Sequence, residues 1–370
     1  MLLYLDSFDH YATADITQRW TQLYVHNTNP IAPVIGATGR RGTNGVRWSV
    51  NQVYDLPSIM AKTLAPADAT CVMGCAFKHT GTFSRMAVDT AVNPFWNGYA
   101  NALFCVRQGG AQQLAVMVNK NGTLSVVRGQ STIDIIGTTA SALSDGVTYY
   151  VEFKTLIANA GGTIDIHVDG VSWLHVDTLD TCPTNIEAWD EVLIGWARLE
   201  YAAASVVWDF DDFYVADGSG ADGWADFVGD IRVDALLPMT PAGTNTDFTA
   251  SGGSDQWDTV DEPAANGDTD YRSSDTIGDK DTFNFPDAPV AGAPILGVQV
   301  VCQVKKEDAG SAGHKALARI GGTDYAGDQL APPATYAFLR QCWGKQPSDG
   351  TSAWTDTVLN ATEFGYTKSA

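Results

Sequence analysis

The segment Trp208-Asp-Phe-Asp-Asp-Phe-Tyr214 carries the side chains best placed for chemistry. Alternate residues of a strand share a face, so Asp209 and Asp211 are expected on one side and Asp212 on the other. Two carboxylates on one face are the donor type that calcium takes, and they are also the pair with which glycosides are hydrolysed. Asp209 and Asp211 are therefore the candidate metal ligands, with calcium as the one cofactor they suggest. An acid–base role weighs less than a solvated strand edge or a structural cation, as acidic residues ordinarily lie at the surface.

Other motifs weigh less. Gly218-Ser-Gly-Ala-Asp-Gly223 has the G-x-G-x-x-G spacing, but only Trp224-Ala-Asp-Phe-Val-Gly229 follows it. That stretch is too short for the helix whose N-terminus would hold a pyrophosphate, and its acids would repel one, so it reads as a linker. In the Asp169-Gly170 hairpin a two-residue register pairs His167 with Ser172 and Ile164 with His175, which puts the two histidines on opposite faces. Six cysteines (71, 75, 105, 182, 302 and 342) form no framework and read as small buried hydrophobes. Eleven tryptophans could serve as sugar platforms or fill a core, and core is the commoner use. Trp96, in the turn-rich Asn93-Pro-Phe-Trp-Asn-Gly98, is the one expected to be exposed as a binding residue.

The elements that must position these residues follow from composition. The 43 acids divide into 36 Asp and 7 Glu, beside 10 Lys and 36 Gly. Asp and Gly favour turns and caps, whereas Glu and Lys populate helix faces, so the chain is expected to be all-β. Strand-like runs at Leu103–Arg107, Gln113–Val118, Leu124–Arg128, Val147–Ile157, Thr163–Val168, Val171–Thr178, Glu191–Leu199 and Ala204–Val215 alternate with turn residues. This is the pattern of a sandwich or jelly roll. Strand patterns return at Ile295–Lys305, His314–Ile320, Thr335–Trp343 and Ala353–Tyr366. The expected division is residues 1–217 as the sandwich, then 218–370 as an acidic linker and a smaller β-sandwich. The net charge of −21 excludes nucleic acid and anionic membrane as partners, and 19 acids against 3 bases lie between Asp209 and Asp287. The first residues, Met1-Leu-Leu-Tyr-Leu-Asp6, have no basic flank and a short apolar run, and do not read as a signal peptide.

Leu5-Asp-Ser-Phe-Asp-His-Tyr11 with Arg19-Trp20, Tyr149-Tyr-Val-Glu-Phe-Lys154, Gly162-Thr-Ile-Asp-Ile-His-Val-Asp-Gly170 and Trp208–Val215 resemble tailed-bacteriophage virion proteins with a concanavalin A-like (laminin G-like) jelly roll. Phe227-Val-Gly-Asp-Ile-Arg-Val-Asp-Ala-Leu-Leu-Pro238 resembles tailed-phage structural proteins as well. The resemblance implies a non-enzymatic virion component, on the head or the tail, assembled in the bacterial cytoplasm. It implies a homo-oligomer bound to other virion proteins, with host-surface polysaccharide as a further partner. The alternative is a polysaccharide depolymerase working on the concave face of the jelly roll through Asp209 and Asp211. Against it, laminarinase-type enzymes carry Glu-x-Asp-x-x-Glu on such a strand, and no window of this chain has that spacing. A cellular lectin-like module is the third reading, disfavoured by the missing export signal.

Overall fold

The structure, a computed structural model, describes residues 1–24, 30–51, 56–85, 92–93, 98–99, 101–129, 134–195, 205–253, 255–264 and 266–370. The chain is all-β, and the strands expected between Leu103 and Ile320 appear within a few residues of their expected limits, except that Glu191–Leu199 is strand over Glu191–Ile194 and its expected end lies outside the described residues. It divides into two compact units. Leu3–Phe8 with Trp20–Val233 make the first, and Asp9–Arg19 with Asp234–Ala370 make the second.

Two large antiparallel sheets make up most of the described part of the first unit, beside two small two-stranded pairs. The eight-stranded sheet runs Val171–Leu179, Gly162–Val168, Thr148–Leu156, Thr70–Thr80, Val206–Asp217, Gly45–Val50 and Val34–Gly36, with Leu2–Asp6 added beside Val206–Asp217. The seven-stranded sheet runs Asp134–Ala142, Thr123–Arg128, Ala111–Val118, Ala102–Gln108, Glu191–Ile194, Ile59–Thr63 and Gln22–Tyr24. Alternation sends Met60, Phe104, Val106, Val116, Val192 and Ile194 inward, all fully buried. Facing them are Trp48, Phe77, Trp208 and Phe210, whose rings meet edge-on or tilted 5.2–6.2 Å apart. Gly195 is required at this interface: a Cβ there would lie 2.5 Å from the Trp48 ring.

Two bulges alter the expected register. Asp212 adopts φ 51° within a shift between Asp211 and Tyr214, so the chain turns and the Asp212 side chain comes round to the face of Asp209 and Asp211. In the hairpin, Val168 pairs with Val171 and His167 with Ser172, but Ile166 pairs with Leu174. Trp173 is the extra residue. His175 therefore faces Asp165, not Ile164, and shares a face with His167.

The expected boundary after Asp217 also moves. Residues 218–233 lie on the outer face of the eight-stranded sheet as an irregular strap. Trp224 is fully buried against Tyr214, the Phe227 ring stacks on His167, and Val228 N and Gly229 N both donate to Glu152 Oε1. The glycine motif opens no helix there.

The second unit has a five-stranded sheet of Met239–Thr246, Lys280–Asn284, Glu363–Lys368, His314–Ile320 and Thr323–Ala326, beside a ribbon of Val298–Val304 and Ala337–Trp343. Its core gathers Ala318, Trp354 and Phe364 with Val298, Val300 and Trp343. The stretch Ala353–Tyr366, expected as strand, instead begins with a short helix, Asp356–Asn360. Thr355 caps it by accepting from Val358 N, and Asp356 sits in its first turn.

Candidate functional site

The acidic strand is where the sequence directs attention, and its carboxylates are engaged by the protein itself. Arg47 grips Asp209 with two parallel bonds, Nε to Oδ1 at 2.6 Å and Nη2 to Oδ2 at 2.9 Å. Asp211 accepts from Arg40 N at 2.9 Å and from Asp212 N at 2.8 Å. Asp212 accepts from Arg40 Nε, Arg41 Nη1 and Val233 N. All three side chains are buried. They anchor the loop at Arg40 and the end of the strap, which differs from the expected cation pair or acid–base pair. Among the described residues no group of three His, Cys, Asp or Glu side chains is arranged to hold a metal ion. Trp96 lies outside the described residues. Four of the six cysteines are buried and two half-buried, and all six are thiols.

A different constellation stands on the outer face of the seven-stranded sheet, the face turned away from the other sheet. One row crosses six strands there: Val127, Ala115, Cys105, Leu193, Ala61 and Gln22 are successive register partners. Its apolar members are buried and, with Ile59 and Met117, form one closed hydrophobic floor. Two residues along, Arg107 and Glu191 face each other directly across neighbouring strands. Tyr24 comes from the edge strand and packs on the same floor.

Polar atoms of these three converge. Arg107 Nη1 donates to Tyr24 Oη at 2.9 Å and to Glu191 Oε2 at 2.8 Å. Tyr24 Oη donates to Glu191 Oε1 at 3.3 Å. The guanidinium lies over the Tyr24 ring and is steadied by the Gly110 carbonyl. Burial raises the Glu191 carboxyl above the usual carboxylate range, with Arg107 opposing it. Burial likewise raises the Tyr24 phenol, so it keeps its proton at neutral pH. The opposite end of the face carries hydroxyls and an amide: Asn119 Nδ2 donates to Thr123 Oγ1 and Ser125 Oγ, and Ser125 bonds Thr138. The face thus has an apolar floor with a proton-holding cluster at one end and a hydroxyl ladder at the other. Sequence reasoning passed over this cluster; its signal was an arginine amid the apolar strand Leu103–Gln108 and one of only seven glutamates opening the next.

No protein-family model matches the sequence, and comparison with curated proteins finds no match. Among solved structures the chain is similar to the alginate lyase Aly36B, at 11% identity over 58% of this chain and 96% of that one, TM-score 0.41. It is similar to a sialidase at 11% identity over 60% of this chain and 19% of that one, TM-score 0.38. The endo-1,3-beta-glucanase from Streptomyces sioyaensis matches at 11% identity over 58% of this chain and 95% of that one, TM-score 0.32. These are distant likenesses of β architecture. The expectation of a non-enzymatic virion component is corrected on this finding: these three proteins act on carbohydrates by name. The galectin LEC-6 of Caenorhabditis elegans and the carbohydrate binding module CBM66 from Bacillus subtilis are similar as well, at TM-scores of 0.27 and 0.29, so the likeness is shared by enzymes and binding proteins.

Proposed function

We propose that the protein is a carbohydrate-active enzyme that lays a polysaccharide along the outer face of its seven-stranded sheet and cleaves it at Tyr24, Arg107 and Glu191. The observation that carries this reading is the meeting of a protonated phenol, a carboxyl of raised proton affinity and a guanidinium within hydrogen-bond distance on one sheet face. Glu191 serves as the acid–base group, because a raised carboxyl exchanges protons nearer neutral pH than an exposed one. Tyr24 donates its hydroxyl proton to the departing sugar oxygen as Glu191 takes a proton from the water that adds to the anomeric carbon, and that proton then passes from Glu191 back to the adjacent Tyr24 oxygen. Arg107 aligns both and offsets negative charge as it develops. Half-buried Tyr24 is the member of the cluster open to a sugar, and the apolar row beneath it is closed to solvent and supports the cluster from below. The depolymerase reading thereby moves from Asp209 and Asp211 to a different sheet.

The test is release of reducing ends from a panel of laminarin, xylan and alginate by the full chain. Release is expected from at least one of them, and Tyr24→Phe, which keeps the ring and removes one hydroxyl, is expected to slow it by about 100-fold or more. Absence of release from every polymer, or full activity in Tyr24→Phe, would count against the site.

A further inference from the structure

The hairpin bulge has a second consequence, at the edge of the eight-stranded sheet. Near the turn, successive residues Ile166 and His167 pair with Leu174 and Ser172, so Trp173 between them has no register partner. A bulge of this kind re-aims the side chain it carries. Trp173 is half-buried, whereas Trp20, Trp48 and Trp208 are fully buried in the same unit. Its indole meets the half-buried Tyr149 ring at 6.3 Å and 66°. Tyr149 is itself fixed, because its hydroxyl accepts from Ser144 N at 3.1 Å. Two exposed valines, Val147 and Val171, lie at the same end of the hairpin.

The surroundings are polar and acidic. Asp145, Asp169, Ser144 and Ser172 are all exposed. Asp145 Oδ1 caps Gly81 N, and Asp169 Oδ1 caps Tyr150 N, which fixes both carboxyls in place. The segments Ser144–Tyr149 and Asp169–His175 contain neither lysine nor arginine, and His175 is bonded to Asp165. Carboxylates and hydroxyls around an aromatic face suit sugar hydroxyls and repel polyanions. Two rings and two valines are also far smaller than the roughly 1,000 Å² that a stable protein interface buries, whereas a pyranose ring matches the size of one indole face.

We propose that Trp173, backed by Tyr149, is a stacking subsite for an uncharged hexose of a neutral polysaccharide, separate from the Tyr24 cluster. The inference rests on the reading of the protein as carbohydrate-active and names the substrate class. Such a subsite holds a polymer by one sugar and raises the effective concentration of the rest near the cleaving face.

The experiment is native affinity electrophoresis of the full chain through gels cast with laminarin, dextran or alginate. At least one neutral polymer is expected to retard the protein. Trp173→Ala is expected to weaken that retardation by about three- to tenfold, and Trp173→Phe to restore part of it, with circular dichroism unchanged in both. Retardation that ignores Trp173→Ala, retardation by alginate alone, or none by either neutral polymer would overturn the subsite. A change of oligomeric state in Trp173→Ala would overturn it as well, by assigning the patch to a protein contact. Tyr24→Phe separates the two ideas: the catalytic reading predicts lost release with retardation intact, so either proposal can fail while the other stands.

Discussion

His79 shows how one buried side chain sets a pH limit on the fold. Trp208 Nε1–H donates to its Nδ1 at 2.9 Å, its Nε2 bonds the Gly81 carbonyl, and its ring stacks on Phe83 at 3.9 Å. Both nitrogens are used by the neutral tautomer, and a second ring proton would break the bond from Trp208. Burial lowers its pKa from 6.5 to about 4, against the opposing effects of the Gly81 carbonyl and the Asp145 charge. The unfolded chain takes up this proton as pH falls through about 6.5, while the folded chain resists until about 4. Stability is therefore complete above 6.5 and drains away between 6.5 and 4. His314, lowered to about 4 by burial in the second unit, acts in the same direction there. Each is worth on the order of 3 kcal/mol at the acid end. Melting temperature recorded from pH 7.5 to 4.5 is expected to fall steadily below 6.5, and His79→Gln to flatten part of that slope. An unchanged slope in His79→Gln would assign the acid sensitivity to other groups.

At the scale of elements, the strand Thr70–Thr80 shows how one glycine makes room for a polar layer. Gly74 lies opposite Glu152 and Tyr214 on the strands to either side. A Cβ at Gly74 would sit 2.6 Å from the Tyr214 ring and 2.9 Å from Glu152 Cγ. Tyr214 Oη donates to Glu152 Oε1 at 2.7 Å, the same oxygen that receives the strap's two amides. Gly74→Ala is therefore expected to cost about 1–3 kcal/mol by crowding this layer. Thermal denaturation would read that as a fall of several degrees, and hydrogen exchange as faster opening at Val228 and Gly229. The strands themselves were legible because Asn-Gly, Asp-Gly and Gly-Gly pairs punctuate them, as at Asn121-Gly122 and Asp169-Gly170. The bulges at Asp212 and Trp173 were not, since nothing local distinguishes a residue that pairs from one that is extruded. Nor was the Tyr24 cluster: Arg107 stands 83 residues from Tyr24 and 84 from Glu191, and sheet pairing alone brings them together.

At the scale of the molecule, the boundary between units follows where apolar surface is buried, and composition misplaced it. Residues 218–233 are rich in Gly and Asp, so they read as linker. Yet Trp224 is 1% exposed, and the segment carries counter-charges for cations of the sheet. Asp226 meets Lys154 at 3.0 Å and Asp230 pairs with Arg40, whose guanidinium also reaches the Ile231 carbonyl. The acidity that suggested a solvated spacer thus partly neutralises Arg40 and Lys154 on the face it covers. Val233 N closes the segment on Asp212, and the next residue belongs to the second unit. A chain ending at Val233 should therefore be more stable than one ending at Asp217. The shorter chain loses the Trp224 burial, worth about 3–5 kcal/mol on the scale of large aromatic deletions from cores. It also leaves Asp212 and Glu152 without amide donors they have in the intact protein, each bond worth about 1 kcal/mol or more. At roughly 2–4 °C per kcal/mol for a unit of this size, the difference in melting temperature is expected to exceed about 8 °C. Trp224→Ala in the full chain should reproduce about half or more of it. Equal melting temperatures for the two truncated chains would return the boundary to Asp217 and make the strap an ornament of the fold; a large difference makes it the sheet's final layer.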